Sequence, residues 1–120
     1  MAHPIVHIEL SAHSHKEAAR FYNEVFGWQT QDWPEMDYTT FVSGEGAPGG
    51  GFNNVREGNP AGTTVIYIHT DDLDESVAKV KANGGTIFGE PLDVPGVGTM
   101  VFFADPTGNR MSLLKPAPDM

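Results

Sequence analysis

The chain states one pattern twice, and few folds accommodate a duplicated pattern of this length. A short apolar run over residues 4–10 leads to Ser14-His15-Lys16-Glu17 and to a helical pattern that stops at Gly27. A second apolar run over 63–70 leads to Asp72-Leu73-Asp74-Glu75, with Asp72 following Ser14 by 58 positions, and the second helical pattern stops at Gly84-Gly85. In both copies a short oxygen-bearing side chain stands three residues before a glutamate, the spacing of a capping box that satisfies orphan amides at a helix start. Extended, turn-rich sequence follows each helix. Such a duplication sets two equivalent halves around one surface, so equivalent positions can be compared for chemistry.

Local patterns predict the elements. Ile5, Val6, Ile8 and Leu10 predict a strand whose even positions share one face, while His7 and Glu9 share the other. Ala18, Phe21, Tyr22, Val25 and Phe26 recur at helical spacing and predict one buried stripe. Gly27 suits a left-handed helix stop. Strands are expected over 28–33 and 37–42, with a turn at 34–36. A glycine-rich loop is expected over 44–51, free to act as a lid, and a fourth strand over 51–55. Asn59-Pro60-Ala61-Gly62 is a turn signal.

In the second copy, 63–70 is a β-branched and aromatic strand, and Leu73, Val77 and Val80 give the helical stripe. A short strand over 86–88 and a loop over 90–98 follow. Strands over 99–104 and 110–115 are joined by the turn Asp105-Pro106-Thr107-Gly108-Asn109. The order is βαβββ twice, which predicts one α+β domain over residues 1–120, module one at about 4–57 and module two at about 62–115. Residues 116–120 read as a disordered end.

Composition narrows the partners. The 120 residues carry a net charge of −9 with seven Lys and Arg, so phosphate backbones and anionic membranes are repelled on average. No nucleic-acid partner and no membrane partner are expected. No run approaches the ~20 apolar residues of a membrane span, and the first residues lack the charged and apolar regions of a signal peptide. The expected location is the cytoplasm. With no cysteine, thiolate chemistry and Cys-based zinc sites are excluded.

Several pieces together resemble the vicinal oxygen chelate superfamily, the glyoxalase/bleomycin-resistance/dioxygenase fold. They are Ala18-Ala19-Arg20-Phe21-Tyr22 through Phe26-Gly27-Trp28, Asp71-Asp72-Leu73, Gly84-Gly85, and Asp105-Pro106-Thr107-Gly108-Asn109. The resemblance covers residues 4–115. It implies paired βαβββ modules whose mixed sheet curls into a ligand-binding cup with helices on its outer face, and a homodimer. It also implies, for most members, one divalent metal held by His, Glu or Gln at four equivalent strand positions, a Lewis acid toward neighbouring substrate oxygens. Other members bind bleomycin-like antibiotics without metal.

Mapped residue by residue, that ligand set is depleted. His7 falls on the first position. Its 58-residue equivalent is Val65, which cannot bind a metal; the usual carboxylate after the Asp-Pro turn is replaced by Ser112; and the last position falls near Gly51-Phe52-Asn53, with at best the Asn53 amide oxygen. No metal and no other cofactor are therefore expected. The alternative is a rearranged triad of His7, Glu9 and His69 holding Zn, Ni, Mn or Fe.

The leading expectation is a protein that binds a small apolar or aromatic molecule, its pocket made by His7, Glu9, Tyr38, Phe52, Asn53, Tyr67, His69, Phe102, Arg110 and Ser112. One alternative is a metal-dependent lyase, isomerase or extradiol-type dioxygenase using His7 and Glu9. Another is a metal-free acid/base enzyme built on Glu9, His7 and Tyr67, with Glu9 and Tyr67 as its catalytic groups and Arg110 and Asn53 as candidate enolate stabilisers. His3, His13 and His15 read as surface residues.

Overall fold

The structure, a computed structural model, describes residues 2–118. In chain order the elements are β1 (Ile5–Ala12), α1 (His15–Phe26), β2 (Gln29–Trp33), a 3-10 turn (Pro34–Met36), β3 (Tyr38–Val42), β4 (Gly49–Asn54), β5 (Thr64–His69), α2 (Leu73–Ala82), β6 (Thr86–Val94), β7 (Gly98–Ala104) and β8 (Arg110–Pro116). The chain divides into two compact units. One is Val6–Val65; the other runs from Ile66 onward and includes the first residues up to Ile5.

In the Val6–Val65 unit the strand order is β2-β3-β4-β1. β2, β3 and β4 form an antiparallel meander, and β1 runs parallel to β4 with Glu9 opposite Gly51 and Leu10 opposite Phe52. Ser14 caps α1 by accepting from the Glu17 amide at 3.1 Å. Gly27 closes the helix at φ +74°, a conformation glycine adopts without a Cβ penalty. Ala18, Ala19 and Tyr22 pack on a core of Ala12, Phe41 and Phe52, joined by Leu10 and Trp28. The rings form a continuous stack: Tyr22 lies 4.7 Å from Trp28 and 5.7 Å from Phe52, and Trp28 lies 4.5 Å from Phe41.

The other unit has the order β5-β8-β7-β6, with β5 parallel to β8 and the remaining pairs antiparallel. Asp72 caps α2 through the Glu75 amide at 3.0 Å. Leu73, Val101, Phe103 and Leu113 form the core, with Val77, Val80 and Ile87 against it.

The α+β class, with a mixed sheet and two short helices, is what the chain forms. The cup is corrected: the sheet is open and does not curl or close. The strand order ends at β2 and at β6, and these outer strands bury little. All five residues of β2 (Gln29–Trp33) are exposed. β6 is mostly exposed and carries Pro91, which has no amide hydrogen to donate and is tolerated at a sheet edge.

Three local expectations are also corrected. The glycines Gly49, Gly50 and Gly51 are not a lid loop but the first half of β4. A Cβ on Gly50 would collide with the Ile8 carbonyl oxygen, and one on Gly51 with the Tyr38 hydroxyl. Close approach, which propensity does not register, puts glycine in this strand. The loop expected over 90–98 is largely strand, because β6 resumes pairing at Leu92 after a register shift that follows Phe88. On α1, Phe21, Val25 and Phe26 are exposed, at 48%, 54% and 61%. Tyr22 sets the sheet-facing direction, and Phe21 sits about 100° round the helix from it. Of the expected disordered end, residues 119–120 lie outside the described residues, and Pro116 closes β8.

The Asp105 turn carries a pH-dependent element. Its carboxylate accepts from the amides of Thr107, Gly108 and Asn109 at 3.0, 2.9 and 2.9 Å and from the Asn109 side chain at 2.8 Å. These donors, the Asn109 side chain foremost, hold the carboxyl below its ordinary 3.8. A folded-state value below the unfolded one contributes stability above the unfolded value and loses it as pH falls through the folded value. Urea midpoints followed from neutral to strongly acid pH are expected to fall less steeply in Asp105→Asn than in the parent chain. Parallel curves would show that the turn contributes nothing.

Candidate functional site

On β1, Leu10 faces α1 and the aromatic core, so His7 and Glu9 emerge on the opposite side of the strand. Parallel pairing places Gly49 beside His7 and Gly51 beside Glu9, two positions with no side chain. Tyr38, at the start of β3, lies across that gap. Its hydroxyl donates to Glu9 Oε2 at 2.6 Å and lies 2.8 Å from His7 Nε2. The hydroxyl has one hydrogen, and it goes to Glu9. The imidazole therefore carries its hydrogen on Nε2 and donates to the phenol oxygen.

The chain of bonds continues beyond the carboxylate. Asn53 Nδ2 donates to Glu9 Oε1 at 2.7 Å, and Asn59 Nδ2 donates to Asn53 Oδ1 at 3.0 Å and to the Asn54 carbonyl at 2.7 Å. The His7 and Tyr38 rings lie nearly parallel, 6.3 Å apart. The side chains of His7 and Glu9 are 26% and 15% exposed, so the pair is sheltered yet reachable. Hydrogen bonds to a carboxylate are roughly twice as strong as neutral ones. The arrangement can recognise a hydroxyl or carbonyl, and it can pass a proton along His7–Tyr38–Glu9.

Of the residues singled out in the sequence, the structure brings His7, Glu9, Tyr38 and Asn53 together in the Val6–Val65 unit. Phe52 is fully buried in the ring stack under α1. In the other unit, Tyr67 is 4% exposed with its ring edge-on to Phe102 at 6.5 Å. There too, His69 Nε2 lies 3.2 Å from Asp71 Oδ1, and the Arg110 guanidinium sits 5.9 Å over the Phe88 ring. Ser112 is fully buried, its hydroxyl directed to the carbonyls of Val101 and Leu113 at 3.4 and 3.3 Å.

The donor set does not fit a divalent ion as it stands. His7 Nε2 and Glu9 Oε2 are 3.9 Å apart, and an ion between them needs bonds of about 2.0–2.2 Å to both. The Tyr38 oxygen already fills that space. Among the described residues no group of three or more His, Asp or Glu is placed to hold an ion.

Two features escaped the sequence. Asn59 read only as turn chemistry, yet it is buried and orients Asn53. His13 and His15, read as surface residues, line a cavity of about 730 Å³ on the helix side of the sheet, together with Asp32, Asp37 and Thr39. The Nε2 of His15 is buried there without a hydrogen-bond partner among the described residues. No periodic signal marks such a cavity, because its lining comes from α1, β2, β3 and β4 together.

The family model of the Glyoxalase/Bleomycin resistance protein/Dioxygenase superfamily matches residues 4–113. The chain is 38% identical over 105 residues to CFP32 of Mycobacterium tuberculosis, a match covering 84% of this chain and 40% of that protein. It is 35% identical over 108 residues to the anthracycline biosynthesis protein DnrV of Streptomyces peucetius, covering 76% and 39%. The chain thus spans about 40% of the length of these relatives. Among solved structures, hypothetical protein BH1468 from Bacillus halodurans matches with a TM-score of 0.75 at 17% identity, over 100% of this chain and 99% of that one. At that identity the likeness speaks for the fold alone.

Proposed function

Because the chain belongs to the Glyoxalase/Bleomycin resistance protein/Dioxygenase superfamily, we propose that it binds a small aromatic molecule bearing a hydroxyl or carbonyl group, and does so without a resident metal. His7, Tyr38, Glu9 and Asn53 recognise the polar group. The observation that carries this reading is the continuous hydrogen-bonded row from His7 to Asn59, sheltered but reachable at its His7–Glu9 end. A similar protein named for anthracycline biosynthesis supports an aromatic ligand. A cytoplasmic homodimer belongs to the same reading, and sedimentation equilibrium tests the assembly.

Calorimetric titration with an anthracyclinone and with simple hydroxynaphthoquinones tests the ligand class. At least one is expected to bind the parent chain and raise its thermal midpoint, since a ligand selective for the native state stabilises it. Tyr38→Phe is expected to weaken that binding by about tenfold, the equivalent of one good hydrogen bond. A parent chain indifferent to the whole panel would remove the proposal.

The second reading, an acid/base enzyme with Glu9 as base, is favoured by the short Tyr38–Glu9 bond at 2.6 Å, which links the carboxylate to a relay. Glu9→Gln with unchanged ligand affinity but lost turnover would establish it. A metal-dependent lyase or dioxygenase needs a third ligand beside His7 and Glu9 and displacement of Tyr38.

A further inference from the structure

We propose that the Tyr38 hydroxyl is the built-in occupant of the space between His7 and Glu9, and that it bars divalent cations from a pair of groups otherwise placed to hold one. The inference rests on the geometry of the site and not on the nature of the ligand.

Both groups are aimed at one point. His7 Nε2 and Glu9 Oε2 approach the same phenol oxygen at 2.8 and 2.6 Å while standing 3.9 Å from each other. An imidazole nitrogen and a carboxylate oxygen directed at one centre are a zinc- or nickel-type pair. The centre they share is an oxygen that gives a hydrogen to one and takes a hydrogen from the other, so both are satisfied without a cation. An ion drawn in at about 2.0–2.2 Å from each would have to expel that oxygen.

Backbone geometry holds the hydroxyl in place. Gly51 lies opposite Glu9, and a Cβ there would collide with the Tyr38 ring and hydroxyl. The glycine is therefore what admits the tyrosine. Asn53 braces the far carboxylate oxygen at 2.7 Å, which keeps Glu9 turned toward Tyr38. Removing the phenol would leave His7 and Glu9 facing a gap, with Asn53 still holding the far carboxylate oxygen.

Zinc and nickel titrations of tag-free protein, monitored by competition with a colorimetric chelator, test this. The parent chain is expected to show no stoichiometric site that depends on His7. Tyr38→Ala is expected to gain one equivalent of either metal with an affinity roughly tenfold or more above the parent. The double variant Tyr38→Ala/His7→Ala is expected to lose the gain, which separates this site from adventitious binding at the other histidines. Should Tyr38→Ala fail to fold, Tyr38→Ser carries the same expectation in a variant that restores some polarity. A tight, His7-dependent equivalent in the parent chain, or a folded Tyr38 variant that gains none, overturns the proposal.

Discussion

Replacing Phe52 by alanine is expected to lower the free energy of unfolding by about 3–5 kcal/mol, the usual range for truncating a buried phenylalanine. Phe52 has no exposed surface. It lies 5.7 Å from the Tyr22 ring and 5.3 Å from the Phe41 ring, so its loss opens a void in the middle of the stack that joins α1 to β3 and β4. A domain of this size is stable by about 5–15 kcal/mol, and the variant would keep little of a modest margin. The measurement is the urea midpoint, with Val25→Ala as the comparison. Val25 is 54% exposed, and its truncation is expected to stay within about 0.5 kcal/mol. Equal effects of the two substitutions would show that the stack is not the core.

Alanine at Gly50 and at Gly51 is expected to give opposite failures, although the residues are neighbours. At Gly50 the new Cβ meets the Ile8 carbonyl oxygen, which is backbone of the adjacent parallel strand, and the Phe41 ring. The carbonyl cannot yield without separating β1 from β4, and the ring cannot yield without disturbing the aromatic stack. Gly50→Ala should cost about 3 kcal/mol or more, beyond the common range for overpacking, or fail to fold. At Gly51 the new Cβ meets only the Tyr38 side chain, which can swing away. Gly51→Ala should fold at a cost of about 1–3 kcal/mol and lose the His7–Tyr38–Glu9 row, and with it ligand binding. Adding Tyr38→Ala should recover part of the lost stability, since the clash partner is gone. If Gly51→Ala kept full ligand affinity, or if Gly50→Ala were as stable as the parent, the close approaches would not be what places these glycines.

The helices were legible because their ends are written in local chemistry. Ser14 and Asp72 each bond the amide three residues on, and Gly27 takes the left-handed conformation expected of it. The face shared by His7 and Glu9 was legible from the two-residue period of a strand. Tyr38 was a pocket candidate, but its place between His7 and Glu9 was not visible. That place depends on register: parallel pairing of β1 with β4 sets Glu9 beside Gly51, and a shift of one residue would put Phe52 there. The same dependence hid the roles of Phe52 and Asn53, whose alternation along β4 sends one into the core and the other to Glu9. Gly49 to Gly51 read as loop because glycine is a poor strand former, and only packing reveals why three are needed in succession.

By itself the sequence determined an α+β chain with two capped helices and a net charge of −9. Those properties reside in residue types and in spacings of a few positions, where backbone period and hydrogen-bonding capacity suffice. Tertiary structure alone decided that the sheet stays open, that the glycines lie within β4, and that a phenol oxygen fills the point on which an imidazole and a carboxylate converge. Each of these depends on which residues from distant segments come within bonding distance, and strand register, not local preference, sets those distances.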